Sequence, residues 1–279
     1  NIMTSDWILH NKLYRNIRLN VIYINKSPLR IGTTKGKSLT SPIDLTVLKI
    51  KINNKELPYI PGSSLKGEFR NTAENILKSY NIPICNKGEE QNLNYELNNK
   101  IKSNDVDVIK AVLNKYCICC KIFGSNGYAS HIIFSDAYAF NSFTFGIKTG
   151  IAINRSSGSV KRNALYEVEY VNPGALFKGE IVMKNTPNYA IGLIAKVIDY
   201  INLGIIKIGG FKSRGFGEIE CKIESIDGIT NVNGEIKRLS ETDILSKLDD
   251  KDNDIHIDKG NSLKILEQAK EIFNEYASR

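Results

Sequence analysis

The 279-residue chain has no apolar run of the about 18 residues that a membrane-spanning helix requires. It has only three histidines, His10, His131 and His256, and none has a catalytic partner visible in the sequence. Its first residues show no basic-then-apolar leader pattern, so a cytoplasmic protein without a membrane partner is expected. Five cysteines make an odd number, and in a reducing compartment a disulfide framework is not expected. A nucleotide-binding loop is missing as well. In Gly32-Thr33-Thr34-Lys35-Gly36-Lys37-Ser38 the glycines are one residue too close together, and β-forming Leu45 to Ile52 follow instead of a helix. Asp250-Lys251-Asp252-Asn253-Asp254 begins like a calcium loop, but Ile255 stands where glycine is required and Asn261 where the bidentate glutamate belongs.

Acidic residues are also missing from two particular segments. Between Asp136 and Glu167 there is none, while Lys148, Arg155, Lys161 and Arg162 occur there. From Ile201 to Gly217 there is again none, and Lys207, Lys212 and Arg214 fall inside. With a net charge of +8, two such segments suit a groove that tracks phosphates, although two solvated loops would look the same. A hydrophobic content of 42% is ordinary for a globular chain, and this length allows one large domain or one core with substantial insertions.

What is present has a readable order. Leu13 to Ile24 alternates as a strand, and Pro28 to Pro42 reads as a loop. Leu45 to Ile52 and Leu57 to Ile60 flank a turn at Asn53-Asn54. Pro61-Gly62-Ser63-Ser64 is a helix start in which a serine hydroxyl is expected to accept a free N–H. Leu65, Phe69, Ala73, Ile76, Leu77 and Tyr80 then recur at helical spacing. Residues 81–130 are polar and read as a weakly cored insertion. His131 to Ser135 reads as a strand. Ala164 to Tyr170 and Leu176 to Met183 read as a strand pair around Asn172-Pro173-Gly174, and a second helix runs through Ile191 to Ile201. Gly209 to Gly217 leads into a strand, Glu218 to Ile226, rather than a helix, so it is no dinucleotide fingerprint. Its glycines would let a sugar-phosphate chain come close. A last helix is expected over Leu263 to Tyr276. Strand, helix, strand, strand, helix, strand is the split βαβ, ferredoxin-like order that RNA-recognition domains also use: an α+β, RRM-like core with insertions.

Several of these stretches resemble one family. Tyr59-Ile60-Pro61-Gly62-Ser63-Ser64-Leu65-Lys66-Gly67-Glu68-Phe69-Arg70 resembles the segment opening the first helix of RAMP proteins of CRISPR systems. Gly209 to Gly217 resembles that family's glycine-rich loop, and Ile122-Phe123-Gly124-Ser125 its "LFG" element. The resemblance runs from about residue 13 to 226 and is greatest to the repeated backbone subunit of type III, Csm-like, effector complexes. It implies one RAMP domain over residues 1–279, with an insertion at 81–130, a thumb-like β-hairpin at 140–163 and a C-terminal extension at 227–279. It implies guide CRISPR RNA and target RNA as partners, together with other RAMP subunits and copies of the chain or its paralogues in a filament-like antiviral complex.

The same resemblance assigns residues. Asp44, in the loop before the second strand, would support divalent-metal-dependent cleavage of target RNA, with Mg as the metal and the ribose 2′-OH as nucleophile. Taken alone, a single carboxylate can hold an ion or assist deprotonation but cannot build a metal cage, and single loop aspartates commonly form turns. Ser63, Ser64, Lys66, Arg70, Gly209, Gly210, Lys212, Ser213 and Arg214 would meet the guide backbone; Arg155, Lys161 and Arg162 would serve on the hairpin. Some relatives carry zinc just before the "FG" element. That implies Cys85, Cys117 and Cys120 as ligands, with Cys119 or a histidine as a fourth; unligated thiols fit the residues equally. Cys221 reads as core. A purely structural RNA-binding subunit remains an alternative, and so does a guide-processing endonuclease, which the lack of partnered histidines disfavours.

Overall fold

The computed structural model describes residues 6–32, 43, 45–153 and 160–279, with backbone alone at 151–153 and 160–164. Asp44 and Arg155 lie outside the described residues, and Lys161 and Arg162 are described only as backbone. In chain order the strands are β1 (Arg15–Asn25), β2 (Lys49–Ile52) and β3 (Lys55–Ile60), followed by helices α1 (Gly62–Ser79), α2 (Lys87–Ile101), α3 (Val106–Asn114) and α4 (Ile118–Phe123). Then come β4 (Ile132–Phe134), β5 (Ala137–Ala139), β6 (Phe145–Ile153), β7 (Val160–Val171), β8 (Leu176–Lys184) and α5 (Asn188–Asn202). The chain continues with β9 (Ile219–Val232), β10 (Glu235–Arg238), β11 (Ile244–Leu245), β12 (Ile255–His256) and α6 (Lys264–Ala277). Among the described residues no helix is long and apolar enough to cross a membrane.

The main sheet runs β10-β9-β1-β8-β5-β3-β2, with β4 also pairing β8. Its centre, β9-β1-β8-β4/β5, is the antiparallel order of a ferredoxin-like core, with α1 and α5 as its two crossover helices. The alternation in β1 sends Ile17, Leu19, Val21 and Tyr23 into the core. The opposite face carries exposed ion pairs, Arg18–Glu180, Lys26–Glu220 and Lys178–Glu224, a pairing that contributes little to stability. Helix α1 buries Leu65, Phe69, Ala73, Ile76 and Leu77, as its spacing predicts. Helix α5 is buried on nearly every side, because α6 covers the face turned away from the sheet. A Cβ on Gly192 would stand 1.9 Å from the Ala269 carbonyl oxygen, so the two helices touch backbone to backbone.

Three local expectations are corrected. First, β7 and β8 do not pair with each other across Asn172-Pro173-Gly174. β7 pairs β6 in a separate two-stranded ribbon, while β8 pairs β1 in the main sheet. The parting is organised by Asn25, fully buried at the end of β1. Its side-chain amide donates to the carbonyls of Val171 (3.2 Å), Asn172 (2.9 Å) and Ser27 (3.2 Å), and its oxygen accepts the Ala175 N–H at 2.8 Å. Second, no serine caps α1. Pro61 occupies the cap without a side-chain bond, and Asp136 accepts the Gly62 N–H at 2.8 Å. Third, residues 81–130 are well cored: Leu97, Val112, Leu113, Tyr116, Ile118, Ile122 and Phe123 join the main hydrophobic cluster.

The C-terminal residues close the other end of the molecule. Arg15, 1% exposed, donates to the carbonyls of Thr186 and Ser246 and to Asn188 Oδ1, and burial lowers its pKa to about 10 despite the field of Asp252. Asp252 in turn accepts the N–H groups of Asn188, Tyr189 and Leu248 at 2.9–3.0 Å, capping α5. The acidic stretch that fails as a calcium loop thus serves as a helix cap.

Asn25→Ala should destabilise the protein by about 3 kcal/mol, because buried carbonyls and an N–H lose their partners together. Urea unfolding followed by circular dichroism measures this, and a change under about 1 kcal/mol would mean that the junction is held elsewhere.

Candidate nucleic-acid interface

An RNA-recognition domain of this topology reads bases with aromatic side chains on its open sheet face. Here that face carries the ion pairs described above, with Asn20 bonded to Ser225. The aromatic and cationic groups gather instead where the glycine loop meets the β6–β7 ribbon.

The loop is built by close backbone contacts. Gly209 has φ +84°, and a Cβ there would lie 2.4 Å from the Arg30 carbonyl oxygen, which accepts the Gly210 N–H at 2.9 Å. Gly217 has φ +87°; its carbonyl accepts the Ile208 N–H and its own N–H reaches the Pro28 carbonyl. Both glycines therefore answer to sterics that an L side chain cannot meet. Phe211, at φ +59°, turns the chain into the short helical turn Lys212–Arg214.

Around this loop cations and rings alternate. The Arg30 guanidinium carbon lies 5.6 Å and that of Arg214 5.1 Å from the centre of the Phe211 ring. Arg214 donates to the Tyr166 hydroxyl at 2.6 Å. Lys148 Nζ is 5.6 Å from the Phe216 ring, which also meets Tyr170 edge-on at 5.4 Å. Burial lowers the Arg30 pKa, and its buried Nε has no hydrogen-bond partner among the described residues. Lys212 pairs with Glu68 on α1, joining the glycine loop to the first turns of that helix. On the ribbon's other side Glu169 accepts from Val47 N–H at 2.9 Å and from Lys49 Nζ at 2.7 Å. Fixed cations beside flat rings suit a polyanion that also carries flat bases.

The sequence-predicted residues divide between two places. Gly209, Gly210, Lys212, Ser213 and Arg214 share the loop, with Ser213 and Arg214 exposed. Ser63 and Ser64 stand at the start of α1, where Gly62 packs against the Phe134 carbonyl. Lys66 is half-buried there, its pKa lowered by burial and then by Arg70. Arg70 is committed elsewhere: it binds Glu74 at 3.0 Å, the Gly124 carbonyl at 2.9 Å and Cys120 Sγ at 3.5 Å. Leu45, which follows Asp44, exchanges backbone bonds with Glu167 and Glu169 of β7. Sequence reasoning missed Arg30, Tyr166, Tyr170, Phe211 and Phe216. The available signal was a pair of glycines, Gly146 and Gly150, mirrored at the same spacing by Tyr166 and Tyr170.

A second cluster lies where Arg70 points. The sulfurs of Cys85, Cys117 and Cys120 all fall within 4.8 Å of one another. The hydrogen bond from Cys120 draws the Cys117 thiol down to about 5, while burial pushes Cys85 up. Three convergent thiols fit a thiophilic ion such as zinc as three of its usual four ligands. Cys119 and Cys221 are buried outside the triad, and burial raises both thiols. His131 is stacked on His10 at 3.8 Å, bonded to Tyr128, and lowered to about 3 by burial, so it is a neutral core group.

The model of the RAMP superfamily matches residues 25–220, a span from the last residue of β1 into β9. No curated protein matches the sequence.

Gly209→Ala should cost about 2 kcal/mol more than Gly215→Ala, because both require left-handed backbone but only the first drives a methyl into the Arg30 carbonyl. Paired chemical-denaturation curves measure the difference; equal losses would show that the loop yields freely.

Proposed function

The chain belongs to the RAMP superfamily of CRISPR-associated RNA-binding proteins, and from that premise we propose that it is a backbone subunit of a cytoplasmic type III, Csm-like, effector complex. In this reading it holds guide RNA and cleaves guide-paired target RNA through Asp44. The observation that carries the RNA-binding part is the alternation of Arg30, Phe211, Arg214, Tyr166 and Phe216 around the glycine loop. Its cations meet phosphates, and Gly215, with open space where a Cβ would stand, admits a backbone, whereas Gly209 and Gly217 are filled by the Arg30 and Ile208 backbones. Support for the nuclease part is the resemblance alone, which matches Asp44 to the family's aspartate position.

The chemistry is a transesterification. The ribose 2′-OH attacks the adjacent phosphorus, a 2′,3′-cyclic phosphate forms, and the 5′-oxygen leaves with a proton. Asp44 would hold a divalent ion, Mg2+ in this reading, whose charge offsets that of the phosphate. In the same proposal Cys85, Cys117 and Cys120 hold zinc, tying α4 to the start of the 81–130 segment.

In a complex reconstituted with guide RNA, Asp44→Ala should leave assembly and target binding intact and abolish cleavage at this subunit's position. Unchanged cleavage would refute the catalytic assignment; a wild-type complex that binds target but cuts nothing would favour a purely structural subunit. Arg214→Ala should lower the log–log salt slope of single-stranded RNA binding by about 0.7, the value for one lost phosphate contact. An unchanged slope would remove Arg214 from the phosphate path.

A further inference from the structure

Glycine inside a strand is unfavourable unless something must come close. In β6 two glycines, Gly146 and Gly150, lie on one face, paired across the ribbon with Tyr170 and Tyr166. A Cβ on Gly150 would stand 2.3 Å from Cζ of Tyr166, and one on Gly146 would stand 2.4 Å from Cζ of Tyr170. Each tyrosine therefore lies across the bare backbone of the opposite strand rather than standing off it. The two positions are about 13 Å apart along the strand, so they cannot share one base.

The two rings differ in their surroundings. Tyr170 meets the buried Phe216 edge-on and belongs to the base of the ribbon. Tyr166 is half-buried, and its hydroxyl is held by the exposed guanidinium of Arg214. A nucleotide offers a flat base joined to an anionic phosphate; Tyr166 and Arg214 offer a flat ring joined to a fixed cation. We propose that the Tyr166 ring, flattened by Gly150 and oriented by Arg214, is a stacking surface for one unpaired base of single-stranded RNA. This inference rests on the RNA-binding reading above and adds to it a residue that recognises bases rather than phosphates.

The test uses the full chain, an oligouridylate and an abasic oligoribonucleotide of the same length and charge. Wild-type protein should bind the oligouridylate about tenfold more tightly than the abasic strand, as one stacked base predicts. Tyr166→Leu, which still covers Gly150, should remove most of that difference and bind the abasic strand with the affinity and salt slope of Tyr166→Phe, which also lacks the hydroxyl that holds Arg214. Tyr166→Phe should keep the preference. Equal wild-type affinity for the two strands, or a Tyr166→Leu variant that keeps the preference or weakens both strands alike, would overturn the inference while RNA binding stands. Wild-type protein that binds neither strand would sink the RNA-binding reading itself, and this inference with it.

Discussion

One buried amide holds together the parts that the function needs. At Asn25 the last residue of β1 meets the end of the ribbon, the turn into β8 and the start of the segment that lies under the glycine loop. Immediately after it, Lys26 donates to the Glu218 carbonyl, Leu29 pairs with Val171, and Arg30 takes the Gly210 N–H. The core sheet is stable for the ordinary reason that its inward face is apolar. The relative placement of ribbon and loop rests on a few backbone bonds that this amide keeps in register, together with apolar contacts through Leu29, Ile31, Val171 and Phe216.

The interface is arranged so that its cations are held before any ligand arrives. Lys212 rests on Glu68, Lys49 on Glu169, and Arg214 on a tyrosine hydroxyl. Only the first two partners are carboxylates; Arg214 is held by a neutral group and keeps its full charge for a phosphate. Preorganised side chains lose less rotamer freedom on binding, which suits a surface that must engage a flexible strand.

The periodic parts of this fold were legible in the sequence. The alternation of β1 and the spacing of Leu65, Phe69, Ala73, Ile76 and Leu77 are local signals, and they gave the core. The ribbon misled because two apolar runs around Asn-Pro-Gly look like a hairpin; their separation is decided by Asn25, about 150 residues earlier in the chain. For the same reason Asp136, and not Ser63, caps α1. The glycine loop was visible as composition, whereas Arg30 was hidden between Leu29 and Ile31 in a stretch without periodicity. Arg70 was expected at the guide backbone; Glu74, one helical turn on, is a legible partner, but nothing near Arg70 in the sequence hints that Gly124 and Cys120 occupy it as well.

The contact between Gly192 and Ala269 sets an order of events as well as a distance. Helix α5 is apolar almost all round, yet the sheet can bury only one side of it. Its other side stays bare until residues 264–277 have been made and have swung back across it. During synthesis the ferredoxin-like core therefore spends an interval with a greasy helix facing water, a window in which a nascent chain can aggregate or engage a chaperone. The tight helix contact that ends this interval makes completion of the core depend on a long-range closure late in the chain.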